Sequence, residues 1–354
     1  MVHLSVAGIR EMLESTGSVR EDLFRQALRL KKEAAGEGIY LRGLIEFSNV
    51  CRKNCLYCGI RREGTRVGRY TLTDAQVLDA AQYAWRKGYG SVVLQAGEQV
   101  SEGFIARIER LVGEIGDLSN GELGITLSLG EQSAVTYRRW RKAGAHRYLL
   151  RIESSSPELY ARIHPDDSRH CYEDRVRALE SLRKEGYQVG TGVMIGLPGQ
   201  TTSDLARDIL FMKRLDIDMC GMGPYVECAG TPLAAYSEAQ GGGTKEVLHE
   251  RLEMTLNMIA VLRIVMPDIN IAATTALQAI DAGGRLRAVE CGANVVMPNL
   301  SPQEVRENYA LYDNKPLALD SRILEQSVCY GERGDSQHFK KREKTAWNSG
   351  KYPK

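Results

Sequence analysis

Cys51, Cys55 and Cys58 stand in the run Cys51-Arg52-Lys53-Asn54-Cys55-Leu56-Tyr57-Cys58, with no fourth cysteine nearby. The C-x3-C-x2-C spacing lets one short loop wrap three thiolates around a cubane iron–sulfur cluster, filling three iron sites and leaving the fourth open. An open iron can hold the amino and carboxylate groups of S-adenosylmethionine (SAM). Electron injection into the sulfonium then yields a 5′-deoxyadenosyl radical, chemistry that belongs to the cofactor. A structural zinc site would need four ligands, usually two C-x2-C pairs. A thioredoxin-like pair would leave Cys51 surplus. The remaining cysteines, Cys171, Cys220, Cys228, Cys291 and Cys329, are scattered singly. The loop thus reads as an open-site cluster motif, its three cysteines both metal ligands and catalytic centre.

Such a loop needs elements to hold it. Strand-like segments near 40–47, 91–95, 124–129, 147–152, 188–195, 217–223, 269–274 and 293–297 alternate with helical stretches at 73–88, 102–115, 131–143, 173–185, 201–214 and 245–265. This alternation means crossover units and a parallel sheet. Eight units close into a barrel of about 250 residues, which fits the distance from Tyr40 to Met297. A doubly wound sheet would carry a phosphate-binding glycine pattern after its first strand; here that strand runs into the cysteine loop. The expected fold is α/β: a full (βα)8 TIM barrel with N-terminal helices and a C-terminal helical extension. Residues 1–38 form the helical extension, with helices at 5–16 and 18–35, the second opening at Ser18 with acidic residues in its first turn. Residues 39–300 form the barrel and 301–330 a closing segment. Residues 331–354 form a polar tail that reads as solvated or poorly ordered. Gln240-Gly241-Gly242-Gly243-Thr244 is a turn whose threonine caps the following helix.

Composition narrows the partners. A net charge of +2 over 354 residues gives no argument for nucleic acid or an anionic membrane surface, and neither is expected. No apolar run approaches the ~20 residues that span a bilayer. The amino terminus lacks the basic and apolar segments of a signal peptide. Unpaired cysteine spacing points to a reducing cytoplasm, and an exposed cluster to oxygen sensitivity.

In a barrel, active sites lie at the carboxyl-terminal face, so strand ends are the informative positions. After the second strand, Gln95-Ala96-Gly97-Glu98 offers close backbone approach and a carboxylate acceptor for an ammonium group. In the third strand Thr126 and Ser128 put hydroxyls on one side. In the fourth, Arg147, Leu149 and Arg151 share one parity, and Arg151 and Glu153 stand two apart on one face. Buried charges must be paired or bind something. Either they form a structural pair, or Glu153 accepts from ribose hydroxyls while Arg151 holds an anionic or metal-bound ligand. The run from Gly190 to Thr201, including Ile195, fits an adenine slot, and Gln200-Thr201 opens a helix. Thr274 and Thr275, with Arg151 across the mouth, form an anion-binding patch or are ordinary strand residues.

At this level the sequence resembles radical SAM enzymes and, more narrowly, the HydE family of iron-only hydrogenase maturases. The resemblance runs from about Ile45 to Tyr312. It is carried by the run from Ile45 to Gly59, Ser128-Leu129-Gly130-Glu131, Arg147 to Arg151, Gly196 to Thr201, Ala273-Thr274-Thr275-Ala276 and Cys291 to Asn299. It implies a barrel with an internal cavity, one [4Fe–4S] cluster on Cys51, Cys55 and Cys58 with Tyr57 beside it, and SAM. Gly97 and Glu98 would meet the methionyl amine, Ser128 and Glu153 would bind SAM, and Arg175 its carboxylate. Thr126, Arg151, Thr274 and Thr275 would line the far, substrate end, and Arg306, Tyr309 and Tyr312 would close the barrel bottom. The implied substrate is a cysteine-bound iron carbonyl–cyanide unit, whose sulfur the radical attacks, on the way to the diiron subcluster of the hydrogenase H-cluster. The implied partners are a GTPase scaffold, a tyrosine-cleaving radical SAM maturase and a flavodoxin- or ferredoxin-type electron donor.

Some positions depart from that pattern. Only Cys329 stands where some relatives carry three cysteines for a second cluster, so none is expected. Ile152 replaces a histidine beside the cavity arginine, Gln99-Val100-Ser101 replaces an acidic-aromatic run, and Arg169-His170-Cys171 is extra. Two alternatives remain: a methylornithine synthase-like lysine mutase, and a cluster scaffold or carrier without radical chemistry. A carrier has no need of the Gly97, Glu98, Glu153 and Arg175 set.

Overall fold

The strand that ends in the cysteine loop, β1 (Tyr40–Ser48), is buried at every position after Tyr40. A parallel strand covered on both faces has no solvent side, so its burial shows no alternation. The computed structural model describes residues 5–316. Strand β1 is followed by β2 (Ser91–Ala96), β3 (Gly124–Ser128), β4 (Arg147–Leu149), β5 (Gln188–Thr191), β6 (Met194–Ile195), β7 (Met219–Cys220), β8 (Gly223–Pro224), β9 (Asn270–Ile271) and β10 (Val295–Val296). Eight of them pair in the order β10-β1-β2-β3-β4-β5-β7-β9, all parallel. A parallel bridge between Ala272 and Val295 joins the two ends. The result is the expected eight-stranded barrel.

The third to eighth strands are all shorter than the sequence pattern suggests. The fourth ends at Leu149, because the Ile152 amide donates to the Thr191 hydroxyl (3.1 Å) instead of a backbone carbonyl. The fifth and sixth each break, and β6 and β8 pair with one another beyond the break. At that break a Cβ on Gly192 would lie 2.1 Å from the Gly221 carbonyl oxygen. The fifth-strand glycines therefore serve strand-to-strand approach: a Cβ on Gly190 would likewise lie 2.5 Å from Met219 Cγ.

Two helices, α1 (Val6–Leu13) and α2 (Gly17–Ala35), precede the barrel. The second opens one residue before Ser18 and has no acidic residue in its first turn. The crossovers are α3 (Asp74–Arg86), α4 (Glu102–Leu118), α5 (Ala134–Ala143), α6 (Pro157–Arg162), α7 (Tyr172–Lys184), α8 (Thr202–Arg214), α9 (Pro232–Ala239), α10 (Lys245–Val265), α11 (Thr275–Ile280) and α12 (Gly284–Glu290). Their starts follow capping chemistry. Thr73 with Gln76 and Thr201 with Asp204 form capping boxes, and the Thr244 hydroxyl accepts from Val247 N. The N-terminal helices pack outside the barrel, α1 on α8 and α2 on α10, where Arg20 reaches Asn257 and Glu253 at 2.6 Å.

Beyond residue 300 the described chain contains one short helix, α13 (Gln303–Arg306). Residues 317–330 of the expected closing segment, Cys329 among them, and the polar tail lie outside the described residues. The segment around Arg306, Tyr309 and Tyr312 was expected at the barrel bottom but crosses the mouth instead. Asn49 donates to the Asn308 carbonyl (2.7 Å) and Gly59 N to the Leu311 carbonyl (3.1 Å). The reason is directional: β10 leaves the sheet at its carboxyl end, on the same face as the cysteine loop. No helix among the described residues is long and apolar enough to cross a membrane.

One buried acid makes the fold pH-sensitive. On α8, Asp208 is fully buried, and its Oδ1 accepts the Ser155 amide at 2.7 Å while Oδ2 has no hydrogen-bond partner among the described residues. Burial pushes its pKa up to about 7, against ~3.9 when unfolded. Stability from the neutral form is thus complete below the unfolded value and is lost as pH rises toward 7, by up to ~4 kcal/mol. Asp208→Asn keeps the acceptor and removes the charge. It is expected to raise the melting temperature at pH 8 and to add nothing near pH 4, as read by thermal denaturation at both values.

Candidate active site

The strand ends at the mouth are drawn together by glycines and backbone hydrogen bonds. A Cβ on Gly97, after β2, would lie 2.4 Å from the Val50 carbonyl oxygen and 2.7 Å from Cys51 Cβ. Only glycine lets β2 end directly beneath the first cysteine. The Arg52 amide donates to the Glu98 carbonyl (2.9 Å), and the Glu98 amide donates to Cys51 Sγ (3.3 Å). Gly130, after β3, has φ +75°, and a Cβ there would lie 2.5 Å from Glu98 Oε2. Two glycines thereby set the positions of Cys51 and Glu98.

Around them runs a chain of alternating charges, buried except at Arg52. Arg52 meets Glu98 at 2.9 Å; Lys53 lies 3.9 Å from Glu98 and 2.9 Å from Glu131; Arg175 on α7 reaches Glu131 at 2.5 Å. The Glu131 amide also donates to Glu98 Oε2 (2.7 Å). Burial raises the Glu98 carboxyl, and the Lys53 charge is the main influence pulling it back. Sequence reasoning assigned Glu98 and Arg175 but gave no roles to Arg52, Lys53 or Glu131. The signal was present as two cations inside the cysteine motif and a carboxylate beside Gly130.

The back of the cysteine loop rests on the extra Arg169-His170-Cys171 segment. His170 Nε2 accepts the Asn54 amide (3.0 Å), so its Nδ1 carries the proton that Asp167 accepts (2.7 Å). Lys53 also donates to the Arg169 carbonyl. His164 stacks on Tyr160 (4.0 Å between centroids) and meets Tyr57 edge-on at 5.5 Å. What looked like an insertion is a brace.

On the other side of the mouth, Glu153 adopts φ +66°, a conformation costing a non-glycine residue about 1–3 kcal/mol and typical of functional sites. Its amide donates to the Gly192 carbonyl and its own carbonyl accepts from Met194, both at 3.0 Å. Its carboxylate lies 3.0 Å from Arg151, so the structural pair considered from sequence exists. Yet a third of the Arg151 side chain stays accessible. Thr274 donates to the Met222 carbonyl (3.1 Å), and Thr275 hydrogen-bonds the Tyr312 hydroxyl.

These groups share one cavity of about 280 Å³, lined by Cys51, Cys55, Tyr57, Cys58, Gly97, Glu98, Ser128, Arg151, Glu153, Arg175, Thr274 and Thr275. Glu46, Gln95, Tyr309, Tyr312 and Lys315 complete its wall. Of these five, only Gln95 stands in a run that the sequence analysis places at the mouth, and there without a role. Lys315 pairs with Glu46 and donates to the Tyr309 carbonyl. Two predicted residues lie elsewhere. Thr126 sits deeper, in a small separate cavity with Arg42 and Met219. Ile195 faces the outer core while its neighbour Met194 faces the cavity, because adjacent strand residues point to opposite sides. Arg147, first in β4, lies at the amino end of the barrel and donates to Gln188 (2.9 Å), away from the mouth. The Gly196–Thr201 run lines an outer groove with Arg251, so it forms no slot in the main cavity.

The three thiols fit a cluster better than a single ion. All are free and interact electrostatically with one another. Yet no His, Cys, Asp or Glu group among the described residues is close enough to hold one metal ion. Burial pushes the Cys55 thiol up to about 12 and raises Cys51 and Cys58. Such thiols become ligands when a metal replaces their protons.

A parallel barrel with three soft donors at its mouth defines a class of radical enzyme, and a family model described as the Radical SAM superfamily matches residues 45–212. The chain is 41% identical over 313 residues to the [FeFe] hydrogenase maturase subunit HydE of Thermotoga maritima, covering 86% of this chain and 84% of that one. It therefore belongs to the HydE family of radical SAM maturases. The crystal structure of methylornithine synthase (PylB) has a TM-score of 0.78 at 23% identity, covering 94% of this chain and 96% of that one. HydG, a maturase of the [FeFe]-hydrogenase, has a TM-score of 0.73 at 18% identity, covering 90% and 72%. Membership in the family implies a [4Fe–4S] cluster and SAM.

Proposed function

We propose that this enzyme carries one [4Fe–4S] cluster on Cys51, Cys55 and Cys58 and acts in the cytoplasm on a cysteine-bound iron carbonyl–cyanide precursor of the hydrogenase diiron subcluster. The observation that carries this reading is the shared cavity: the three thiols open at one end, and Arg151, Thr274 and Thr275 stand at another part of the same wall. Bound together, the cluster and SAM supply a 5′-deoxyadenosyl radical by one-electron reduction of the sulfonium.

The chain's own residues bind and orient. Gly97, which lets the Cys51 turn close over the end of β2, and Glu98 meet the methionyl amine of SAM at the cavity wall, the carboxylate accepting from the ammonium group. Arg175, reaching in from α7, offers a guanidinium to the SAM carboxylate. Ser128 and Glu153 bind SAM, the Glu153 carboxylate accepting from ribose hydroxyls, and Tyr57 stands beside the cluster. Arg151, Thr274 and Thr275 hold the anionic or metal-bound end of the substrate, with Tyr309 and Tyr312 excluding water from the mouth. A tyrosine-cleaving maturase and a GTPase scaffold act with it, and a flavodoxin- or ferredoxin-type protein supplies the electron.

Anaerobically reconstituted protein, given dithionite and SAM, is expected to release 5′-deoxyadenosine and to contain about four irons per chain. No 5′-deoxyadenosine from an intact cluster would leave only a scaffold or carrier, and about eight irons would overturn the single cluster. Added to a hydrogenase maturation mixture lacking its own HydE, the protein should restore hydrogenase activity. Failure there, with methylornithine formed from lysine, would reassign the substrate.

A further inference from the structure

The cysteine loop concentrates positive charge that the rest of the chain lacks. Residues 52–69 hold six basic residues and one acidic one, a net +5, in a chain whose total is +2, so the remainder carries −3. Lys53 and Arg52 belong to the charge chain described above and the Arg61 side chain is only 10% exposed, but Arg62, Arg66 and Arg69 lie on the outside of the loop. The side chains of Arg62 and Arg66 are 46% and 56% exposed. Arg61 and Arg62 share a single carboxylate, Glu63, at 3.4 and 3.1 Å, and Arg66 meets Asp313 at 3.2 Å. Arg69 is held by backbone carbonyls of Asn49, Ile60 and Gly64 at 2.7–2.9 Å, which orient its guanidinium without cancelling its charge. A ring of this kind would repel itself, and the carbonyl bonds keep it in place.

The ring is mechanically continuous with the thiol ligands. The Arg62 amide donates to the Lys53 carbonyl (2.7 Å), and the Arg61 amide to the Cys58 carbonyl (3.1 Å). From this we infer that the outer face of residues 61–69 is the docking surface for a small acidic one-electron carrier protein, which delivers its electron across the loop. The inference rests on the cluster assignment proposed above. One electron leaves the carrier, which is oxidised by one, and enters the cluster, which is reduced by one; no bond or proton moves. Charge complementarity selects this partner, because opposite potentials speed encounter most at low ionic strength. It also accounts for a basic face on a chain of nearly zero net charge.

The test is stopped-flow reduction of the reconstituted holoenzyme, followed by the loss of cluster absorbance. A reduced acidic flavodoxin is one reductant and dithionite the other. With flavodoxin, the wild-type rate constant should fall about tenfold or more as salt shortens the screening length from ~30 to ~8 Å. Arg62→Glu, and Arg62→Glu with Arg66→Gln, should lower the rate at low salt by a similar factor and flatten its salt dependence. Arg62→Lys should retain most of the rate. Dithionite reduction should be equal in all four proteins. A salt-independent wild-type rate, or an unchanged Arg62→Glu rate beside normal dithionite reduction, would overturn the surface alone. A wild-type protein that dithionite cannot reduce would overturn the cluster assignment instead.

Discussion

Cys55→Ala is expected to yield a folded protein with almost no bound iron, no electron paramagnetic resonance signal of a reduced cluster, and SAM cleavage reduced by at least ~10³-fold. The magnitude follows because the radical chemistry belongs to the cofactor and no side chain here can replace it. Folding should survive. Cys55 is small and its neighbours are held by other bonds: Asn54 by His170, Leu56 by the Ile163 carbonyl, and Gly59 by the Leu311 carbonyl. Iron analysis, the spectrum and circular dichroism separate the two effects. A retained cluster signal would move the ligand assignment to another sulfur.

The second large effect is expected at Lys53, which sequence reading left without a role. Its side chain is 4% exposed, and its ammonium stands between Glu98 and Glu131. Lys53→Met would leave two adjoining carboxylates with Arg175 and the partly exposed Arg52 as their cations. Breaking a buried pair by removing one partner costs roughly 3–5 kcal/mol. The pH dependence fixes the sign. Glu98 is already raised by burial, and Lys53 is its main opposing charge. Removing that charge raises the folded carboxyl further above its unfolded value. Stability of the variant should then be greatest where Glu98 is protonated and fall as pH rises through the folded pKa. The deficit relative to wild type should be smaller at pH 5 than at pH 8, as measured by denaturant unfolding of the metal-free protein. Because Lys53 also ties the cysteine loop to the Arg169 carbonyl, the variant should assemble its cluster poorly. An equal deficit at both pH values would mean that the charge chain is not what the lysine supports.

Both predictions concern a loop whose sequence signature and support lie far apart in the chain. The spacing of Cys51, Cys55 and Cys58 is a local property, legible without any fold. The barrel was legible too, since β1, β2 and β3 are long runs of buried residues separated by helices with clear caps. The later strands were overextended, because where a ladder stops depends on partners in other strands. The Thr191 hydroxyl ends the fourth strand, and the close approach of Gly192 and Gly221 divides the fifth from its continuation. The same limit explains the misplaced site residues. Parity along one strand cannot say how deep a residue lies in the barrel: Thr126 shares a side with Ser128 and Arg147 a parity with Arg151, yet Thr126 lies deeper in a separate cavity and Arg147 at the amino end. Nor can it settle facing once a strand is interrupted, which is how Ile195 was chosen over Met194.

What the amino-acid sequence determined by itself was the donor set and the parallel barrel that presents it, because both follow from short-range spacing and periodicity. Tertiary structure alone decided which charges surround the donors. Lys53, Glu131 and Arg175 are 44 to 122 residues apart in sequence yet adjacent in space. Tertiary structure also set the C-terminal segment across the mouth, because the direction of β10 determines on which face the chain emerges. Burial makes these long-range pairings compulsory, since a charge removed from water must find its partner wherever the fold brings one.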